Sequence, residues 1–424
     1  MKVCLINYRY FVSSGPERYL FGVKDLLQAR GHEVVPFSVR YGKNEPTPWA
    51  DYFVPPIAGE DEVRFHQHTW TPRSARRALE RAFYSPEVHD ALARLLAEAR
   101  PDVAYVLHYL RKLSPAVLTA LHEAGVPTVV RFSDFAMVCP QAHMVRQDRI
   151  CELCVTRGPW PSIPFRCVQG SLGASAVNAL AMEWARRKGY FGLVDAFVAP
   201  SRVMVDKMVA GGVPARLLHH LPTFVEPREP RPFGERRRRI CYIGRIERIK
   251  GLVTLLDAWE LLLGRGVEDV ELVIAGDMDS ECGRSLAQRL RERPLRGLSL
   301  AGLLDEDGVT ELLQSSQLSV VPSMWYENTP NSLLESLACG TPVVTAHLGS
   351  MCEMVCDTQA GLLFQPGDPE SLAMAIRDAI DSPGLELMGR AAHELATTRY
   401  SPETHVTALL ALLDDVRRGA SLRR

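Results

Sequence analysis

The chain has 424 residues, and this length suits two domains of roughly 200 residues each better than a single core. Hydrophobic residues make up 46% and charged residues 23%, which excludes disorder as the main state. Lys and Arg total 49 against 50 Asp and Glu, for a formal net charge of −1. This balance lacks the basic excess of a dedicated nucleic-acid binder, so we expect no nucleic-acid partner, although a local basic site can hold a nucleotide.

The sequence predicts a cytoplasmic protein. No stretch reaches the roughly 20 apolar residues that a membrane-spanning helix needs. The opening MKVCLINYRYF is typical of a first buried strand and not of a signal peptide, because no small-residue cleavage site follows. Peripheral contact with the inner membrane face stays open: Arg73, Arg76, Arg77 and Arg81 fall near one helical face, although we favour a solvated face as their explanation.

The first half alternates short apolar runs with helical periodicity. Leu20, Val23, Leu26 and Leu27 lie on one side of a helix that Gly31 ends. Alternation of this kind predicts a parallel sheet with crossover helices. The predicted strands are 3–7, 33–37, 103–107, 128–132 and 196–200, and the predicted helices are 16–30 and 114–124.

The segment from Pro222 to Arg239 interrupts this alternation. It is rich in Pro and Arg and has no periodicity, which predicts an interdomain linker whose Arg run is a solvated basic edge before a strand. We therefore place a first domain at 1–225, a linker at 226–239 and a second domain at 240–400. The remaining residues, 401–424, are expected to form a helix that packs back toward the first domain.

The second half repeats the pattern. Strands are predicted at 240–243, 271–275, 298–301, 318–322 and 343–345, and helices at 251–263, 309–314 and 332–338. The fold class is therefore α/β, with two Rossmann-like, doubly wound domains in series and a cleft between them. Ligands of open α/β sheets bind outside the carboxyl ends of the strands, so the loops at those ends are the first places to search for a site.

Two such loops carry suitable chemistry. In ICYIGRIERIK, a strand leads into Gly244 and Arg245, and Lys250 opens the next helix; cations there suit a diphosphate leaving group, although an ordinary surface loop is the alternative. In WYENTPNSLLESLACG, Glu327 ends a strand and Pro330 suits the first helical position. The helix start would form an anion site, with Glu335 one turn further in; a solvated helix face is the alternative for the two glutamates.

These motifs resemble those of the GT-B glycosyltransferases, specifically family 4 of retaining, nucleotide-sugar-dependent enzymes. Glu327 and Glu335 match the E-x7-E motif of that family. The resemblance covers nearly the whole chain and is strongest from 238 to 380. The matching segments are YIGRIERIKG, LVIAGD, LAGLLDED, ENTPNSLLESLACGTPVV and GLLFQPGDPESLAMAI.

The resemblance implies a fold, an activity and residue roles. Two Rossmann-like domains would face a central cleft, and a sugar would pass with retention from a nucleotide diphosphate donor to a hydroxyl acceptor, in glycan, glycolipid or natural-product biosynthesis, without a catalytic metal. Arg245 and Lys250 would hold the diphosphate, Glu327 the donor sugar and Glu335 the ribose. Further donor contacts would come from Gly244, from the backbone of Gly302 and Leu303 at the base, and from Thr329, Pro330, Asn331 and Ser332 at the diphosphate.

The first half departs from the family at two points. In SSGPER, Ser14 replaces the first Gly of the Gly-Gly-x-Glu-Arg loop near the donor, while Gly15 and Glu17 match; the loss is tolerable if Ser14 has a negative φ, and an ordinary turn is the alternative. In RFSDFAMVCP, Ser133 stands where related enzymes carry a His, followed by Asp134. His108 and His143 are the candidate substitutes, unless each is an ordinary polar residue.

Four cysteines form a separate pattern in a loop-like insert at 139–167. Cys139, Cys151, Cys154 and Cys167 follow C-x11-C-x2-C-x12-C, and a similar insert occurs in a subset of family 4. We expect a structural zinc ion there, because tetrahedral Cys4 sites suit Zn²⁺ and a loop with little core needs a staple. Redox-active thiols, a disulfide and an iron–sulfur cluster are the alternatives. The other six cysteines are interpreted as core residues.

Two other functions compete with this hypothesis. One is an inactive nucleotide-sugar-binding scaffold, supported by the missing His at Ser133, and the other is an epimerase or sugar-phosphate synthase on the same fold. A nicotinamide site is disfavoured, since no G-x-G-x-x-G follows the first strand. The segment 41–86 does not reveal the acceptor: its Trp49, His66, His68 and Trp70 either stack on a sugar or pack a loop, and we favour packing.

Overall fold

Short apolar runs form the strands of two parallel sheets in the computed structural model, which describes residues 1–59, 71–356 and 358–421. The strands are β1 Lys2–Ile6, β2 Glu33–Phe37, β3 Val103–Val106, β4 Thr128–Arg131, β5 Val145–Arg146, β6 Arg149–Ile150, β7 Ala196–Ala199, β8 Leu218–His220, β9 Arg237–Ile243, β10 Glu271–Ala275, β11 Leu298–Gly302, β12 Ser316–Val321, β13 Val343–Ala346 and β14 Gly361–Phe364.

Helices connect these strands. They are α1 Gly15–Ala29, α2 Pro72–Phe83, α3 Pro86–Ala99, α4 Ala116–Glu123, α5 Leu153–Arg157, α6 Leu172–Arg187, α7 Arg202–Ala210, α8 Leu252–Gly264, α9 Glu281–Glu292, α10 Glu306–Ser315, α11 Asn331–Ala338, α12 Gly349–Val355, α13 Pro369–Ile380, α14 Leu385–Thr397 and α15 Pro402–Ser421.

The chain divides into two units. The first comprises Met1–Met144, Cys151–Leu221 and Val406–Arg424, and the second comprises Val145–Ile150 and Pro222–His405. The β5–β6 hairpin is thus grouped with the second unit, although it lies inside the predicted cysteine-rich insert of the first domain.

The first sheet has the parallel order β2-β1-β3-β4-β7-β8. Its central strands are buried on both faces, as parallel strands under crossover helices are; Val3, Ile6 and Val103 expose nothing. Helix α1 covers this sheet with the predicted face, of which Leu20 and Val23 are buried.

The second sheet has the parallel order β11-β10-β9-β12-β13-β14. This is the doubly wound order in which strand succession reverses direction between the two central strands, here β9 and β12. Trp259 of α8 is fully buried beneath this sheet, and its indole N–H donates to the Arg296 carbonyl oxygen at 3.0 Å. The carboxyl ends of β9 and β12 therefore lie side by side at the switch point.

The prediction of a solvated Arg run before the second domain is wrong for Arg236, although Arg237 is exposed. Strand β9 begins at Arg237, inside the predicted linker, and Arg236 is buried. The Arg236 guanidinium donates to the carbonyl oxygens of Cys339 and Gly340, both at 3.0 Å, and to Thr341 Oγ1 at 3.1 Å. A buried cation with this many acceptors ties the start of the sheet to the turn after α11.

The basic face predicted on α2 does not face solvent as a whole. Arg81 is fully buried and donates to the Pro55 carbonyl oxygen at 3.2 Å and to Glu87 at 3.0 Å. Burial lowers the pKa of Arg81 to about 10. Arg77 donates to the Pro56 carbonyl oxygen at 2.9 Å. These two cations hold the 55–56 segment within the first unit. Among the described residues, no helix combines the length and apolarity that crossing a bilayer requires.

Candidate functional site

The loops after β9 and β12 lie against each other because one residue between them has no side chain. Gly251 has a φ of 74°, and a Cβ built on it would lie 1.8 Å from the Pro322 carbonyl oxygen. The Met324 N–H also donates to the Ile249 carbonyl oxygen at 2.9 Å. This crossing brings Lys250, which precedes Gly251, to the residues that follow β12.

At this crossing, the Glu327 carboxylate pairs with the Lys250 ammonium group. Its Oε1 accepts from Lys250 Nζ at 2.5 Å, from Trp325 Nε1 at 2.6 Å and from Ser323 Oγ at 2.7 Å. Burial, which leaves the residue 9% exposed, would raise the pKa of Glu327, but the Lys250 charge and the three hydrogen bonds outweigh burial and hold that pKa below its ordinary value. The carboxylate is therefore ionised at neutral pH, so it accepts hydrogen bonds and does not act as an acid.

Arg245 lies in the loop after β9, as Lys250 does, but its side chain pairs with Glu247 and not with Glu327. Its guanidinium donates to Glu247 at 2.8 Å, and 62% of the side chain is exposed. The preceding Gly244 donates its N–H to the Ala275 carbonyl oxygen at 3.1 Å, which fixes the end of β9 against β10. Arg245 thus stands at the rim of the loop, with its side chain toward solvent.

Helix α11 begins between the two predicted starts, which are Pro330 and residue 332. Its first residue is Asn331, and Pro330 is the extended N-cap, with φ −65° and ψ 124°. Ser332 and Glu335 are both half-buried on this helix. The first N–H groups of a helix lack intrahelical acceptors and carry its positive dipole end, so this terminus can bind an anion. Thr329, just before it, donates its hydroxyl to the Asn328 carbonyl oxygen at 2.8 Å.

The predicted base-contacting residues end strand β11. Gly302 has a φ of 73°, and its carbonyl oxygen accepts from the Gly276 N–H at 2.8 Å. Leu303 is 78% exposed, an unusual state for a leucine. Both residues belong to the second unit, as Lys250, Glu327 and α11 do.

In the first unit, the loop after β1 is organised around a buried carboxylate. Glu17 is 1% exposed, and its Oε2 accepts from Ser14 Oγ at 2.6 Å and Ser13 Oγ at 3.1 Å. Ser14 has a φ of −161°, which is extended backbone, so the condition for losing a Gly there is met. Gly15 is the first residue of α1. Glu17 therefore holds the loop in shape through its serines.

The loops after β3 and β4 bring three predicted residues together around a cavity of about 60 Å³. His108 Nε2 lies 3.3 Å from Asp134 Oδ2, and Asp134 Oδ1 accepts from the Ala136 N–H at 2.7 Å. Burial would raise the pKa of Asp134, but the His108 hydrogen bond and charge, the Ala136 N–H and Arg111 lower it overall. Ser133 lines the same cavity.

Of the two candidate histidines, only His108 lines this cavity; His143 is exposed and lies elsewhere. The ring of Trp49 packs 6.1 Å from that of Tyr52, centroid to centroid, which agrees with the packing interpretation. His66, His68 and Trp70 lie outside the described residues.

The four cysteines of the insert all belong to the first unit. Burial raises the pKa of Cys154 to about 12, and the charges of Cys139, Cys167 and Cys151 add to that rise. Burial also raises the pKa of Cys139, while backbone N–H groups of residues 141, 142 and 144 oppose the rise. No three of these thiols come within 4.8 Å of one another, a separation reached only elsewhere among the described residues.

The interpretation of the other six cysteines as core residues holds for three of them. Cys4, Cys241 and Cys339 are buried, whereas Cys282 and Cys356 are exposed and Cys352 is half-buried. Within the described residues, every cysteine is outside a disulfide. The C-x3-C spacing of Cys352 and Cys356 was the available signal, and it was not used.

Comparison with known proteins identifies the family. Residues 14–223 match the Glycosyl transferase 4-like domain, and residues 237–382 match Glycosyl transferases group 1. Phosphatidyl-myo-inositol mannosyltransferase of Mycobacterium leprae is 25% identical over 98% of this chain and 96% of its own length. Glycogen synthase of Mycobacterium tuberculosis is 32% identical over 44% of this chain, and the match spans 46% of that relative.

Solved structures show the same fold. Sucrose-phosphate synthase from Thermosynechococcus elongatus superposes with a TM-score of 0.70 at 17% identity, over 99% of each chain. Anabaena HepE, solved with UDP and glucose, gives 0.64 at 16% identity, over 98% of this chain and 99% of its own. The chain belongs to the family 4 glycosyltransferases of GT-B fold, so the predicted fold class and enzyme class are confirmed. The scaffold and epimerase alternatives are not favoured.

Proposed function

We propose that this chain transfers a sugar, with retention of anomeric configuration, from a nucleotide diphosphate donor to a hydroxyl acceptor. The observation that carries the proposal is the Lys250–Glu327 pair at the switch point of the second sheet, with Glu327 in the loop that leads from β12 into α11. Open α/β sheets bind nucleotides at such points. The relatives named for sugar transfer support the same reaction class.

In this proposal the second unit acts by electrostatic stabilisation of the leaving diphosphate. As the bond between the sugar and the diphosphate breaks, negative charge builds on the leaving phosphate. Lys250, the N–H groups at the start of α11 and Arg245, once it leaves Glu247, would stabilise that charge. Cations and helix dipoles aimed at the developing charge supply the stabilisation that other enzymes take from a metal ion.

Glu327 has a different role in this proposal. The three hydrogen bonds all end on Oε1, which leaves Oε2 as the oxygen that accepts from a donor-sugar hydroxyl. The lowered pKa makes this carboxylate a weak base, so it orients the sugar instead of removing a proton. Proton transfer to the departing phosphate oxygen, as the family resemblance implies, is consistent with that limit. Glu335 on α11 would accept from the ribose.

The first unit supplies a second polar centre. The His108–Asp134 pair beside the cavity replaces the histidine that related enzymes carry at the position of Ser133. Asp134 fixes the orientation of the imidazole, and the ring is the group that would contact a sugar hydroxyl. Glu17 and Gly15 would keep the loop after β1 in the shape that a phosphate requires.

A thermal-shift screen tests the donor proposal. UDP-, GDP-, ADP- and dTDP-sugars are added to the full chain, because a ligand that binds only the native state raises the melting temperature. We expect a rise of several degrees with one nucleotide class and a much smaller rise in Lys250→Ala. Folded protein that shifts with no nucleotide sugar would contradict the proposal. Product analysis by NMR then reads the anomeric configuration.

We also propose that the four cysteines of the insert hold a structural zinc ion. All four lie in the first unit, and the backbone N–H groups directed at Cys139 favour its thiolate. Five non-glycine residues of this stretch have positive φ, a strained backbone that needs a restraint: Ala142, Met144, Gln147, Asp148 and Arg166. Four thiolates close the coordination sphere, so the ion would be structural and not catalytic.

Metal analysis tests the zinc proposal. The purified chain should carry zinc that Cys151→Ser/Cys154→Ser loses, together with stability of the first unit. The exposed Cys282→Ser variant is the matched control and should keep the metal. An equal zinc content in both variants would contradict the assignment.

We further propose a cytoplasmic location, since cysteines outside disulfides are typical of that compartment, and peripheral contact with a membrane stays a proposal as well.

A further inference from the structure

Three metal-ligating side chains meet in the second unit where β13 passes into α12. His347 directly follows β13, Cys352 lies in α12, and Cys356 caps the end of that helix. Their ligand atoms all lie within 4.8 Å of one another, and the two Sγ atoms are 3.0 Å apart. His347 and Cys356 are exposed and Cys352 is half-buried, so an ion can reach the cluster from solvent.

The backbone argues against a disulfide between the two thiols. The Cys356 N–H donates to the Cys352 carbonyl oxygen at 2.8 Å, so the residues are one helical turn apart. Residues in that relation have Cβ atoms about 5–6 Å apart. A disulfide needs a Cβ–Cβ separation of about 3.5–4.5 Å. Closing the bond would therefore distort the last turn of α12.

A metal ion accommodates this spacing without distortion. With zinc–sulfur bonds of about 2.3 Å in tetrahedral geometry, two thiolates stand about 3.8 Å apart. The two Sγ atoms, which stand 3.0 Å apart, can reach that separation by rotation of their side chains, and all three ligand atoms lie within 4.8 Å of one another. Two thiolates and an imidazole are the donors that zinc prefers.

We propose that His347, Cys352 and Cys356 form a zinc site with two thiolate ligands, one imidazole ligand and a fourth position open to water. This site is separate from the four-cysteine loop, shares no residue with it, and does not depend on the sugar-transfer proposal.

The site is next to the loop that carries Glu327. Ser350, in the first turn of α12, donates its hydroxyl to the Glu327 carbonyl oxygen at 2.7 Å. Gly349 has a φ of 55°, and a Cβ there would lie 3.0 Å from the ring of Tyr326. An ion that joins His347 to α12 would fix that helix against the end of β13, and through Ser350 it would restrain the Glu327 loop.

The test is a metal titration of the full chain after chelation, with Zn²⁺ followed by competition and Co²⁺ followed by its thiolate charge-transfer absorption. Cys352→Ser/Cys356→Ser should bind one equivalent fewer than wild type and lose the corresponding rise in melting temperature. His347→Ala should raise the apparent Kd of the same equivalent about 10-fold or more, in line with the loss of one ligand. Cys282→Ser, exposed on α9, is the matched control and should behave as wild type.

The two zinc proposals fail separately. Cys151→Ser/Cys154→Ser should lose a different equivalent and leave this one in place. An unchanged stoichiometry in Cys352→Ser/Cys356→Ser, with circular dichroism showing a native fold, would overturn the site. Mass spectrometry that finds a Cys352–Cys356 disulfide in the zinc-loaded protein would overturn it as well. If the double variant does not fold, the His347→Ala titration decides, and wild-type affinity there rejects the proposal.

Discussion

The two units each place a basic side chain beside a carboxylate at the carboxyl end of a parallel sheet, but the two pairs are built differently. Lys250 and Glu327 are nearly enclosed, and three donors converge on one carboxylate oxygen. His108 and Asp134 are more open, with exposed fractions of 22% and 33%, and they border a cavity. The first pair is enclosed by its hydrogen bonds, whereas the second leaves an imidazole ring beside open space.

This difference separates two tasks. A fixed charge in a dry environment stabilises charge that develops in a reaction, because it needs no reorganisation at that moment. A titratable ring beside a cavity is suited to recognition of a hydroxyl and to proton movement. Variants at the two pairs should therefore differ in the size and in the pH dependence of their effects.

The largest effect is expected from Lys250→Ala, because it removes the cation that would face the departing diphosphate. Turnover should fall about 10³-fold, near the cost of deleting one preorganised donor, while the fold is retained. Lys207→Ala is the matched control, since that lysine also forms an ion pair, with Glu152 at 2.7 Å. Initial rates with the identified donor measure both. Wild-type turnover in Lys250→Ala would show that Lys250 has no part in the reaction.

Gly251→Ala should have the next largest effect, through stability. The new Cβ would meet the Pro322 carbonyl oxygen in a backbone conformation that alanine disfavours, so we expect a loss of about 3 kcal/mol or more. Gly266→Ala is the matched control, with a φ of 79° and no heavy atom within 4 Å, and should lose only about 1 kcal/mol. Urea unfolding compares the two. Equal losses would show that the loop crossing can relax.

His108→Ala should lower turnover by about 100-fold, the lower end of the range typical of a positioned acid–base group, and alter the pH profile. His143→Ala and the exposed His122→Ala should stay close to wild type. The measurement is the pH dependence of kcat and KM in all three variants. A flat loss in His108→Ala, equal at every pH, would leave this histidine a packing role only.

The smallest effect concerns acid stability. Because the folded-state pKa of Glu327 is lowered, its ionised form adds stability above the ordinary Glu pKa, and that stability is lost as the pH falls through the lowered value. Glu327→Gln should therefore show a shallower loss of unfolding free energy in the acid range than wild type. Glu292→Gln, exposed on α9, provides the reference. If unfolding free energy depends on pH in the same way in Glu327→Gln and in wild type, then the ionisation of Glu327 does not contribute to acid stability.

The sequence predicts the sheets well because buried parallel strands are continuous apolar runs, as Val3 and Val343 illustrate. It also places Lys250 and Glu327 at strand ends, where motif spacing is informative. It does not reveal the Arg236 network, because a composition rich in Arg reads as solvated whether or not each cation finds buried acceptors. The His347 cluster was missed for a similar reason: the C-x3-C pair in a short helix is a weak signal by itself, and the third ligand comes from a separate strand end.

The first unit is assembled from separated stretches of chain, the last of which starts at Val406. Val406, Leu409 and Leu413 of α15 are buried, so this late stretch contributes to a core begun by β1. During synthesis the ribosome must finish the whole second unit before those side chains exist. The first unit to be translated is thus the later to be completed, and a nascent chain stalled before residue 406 would expose the surface that α15 covers.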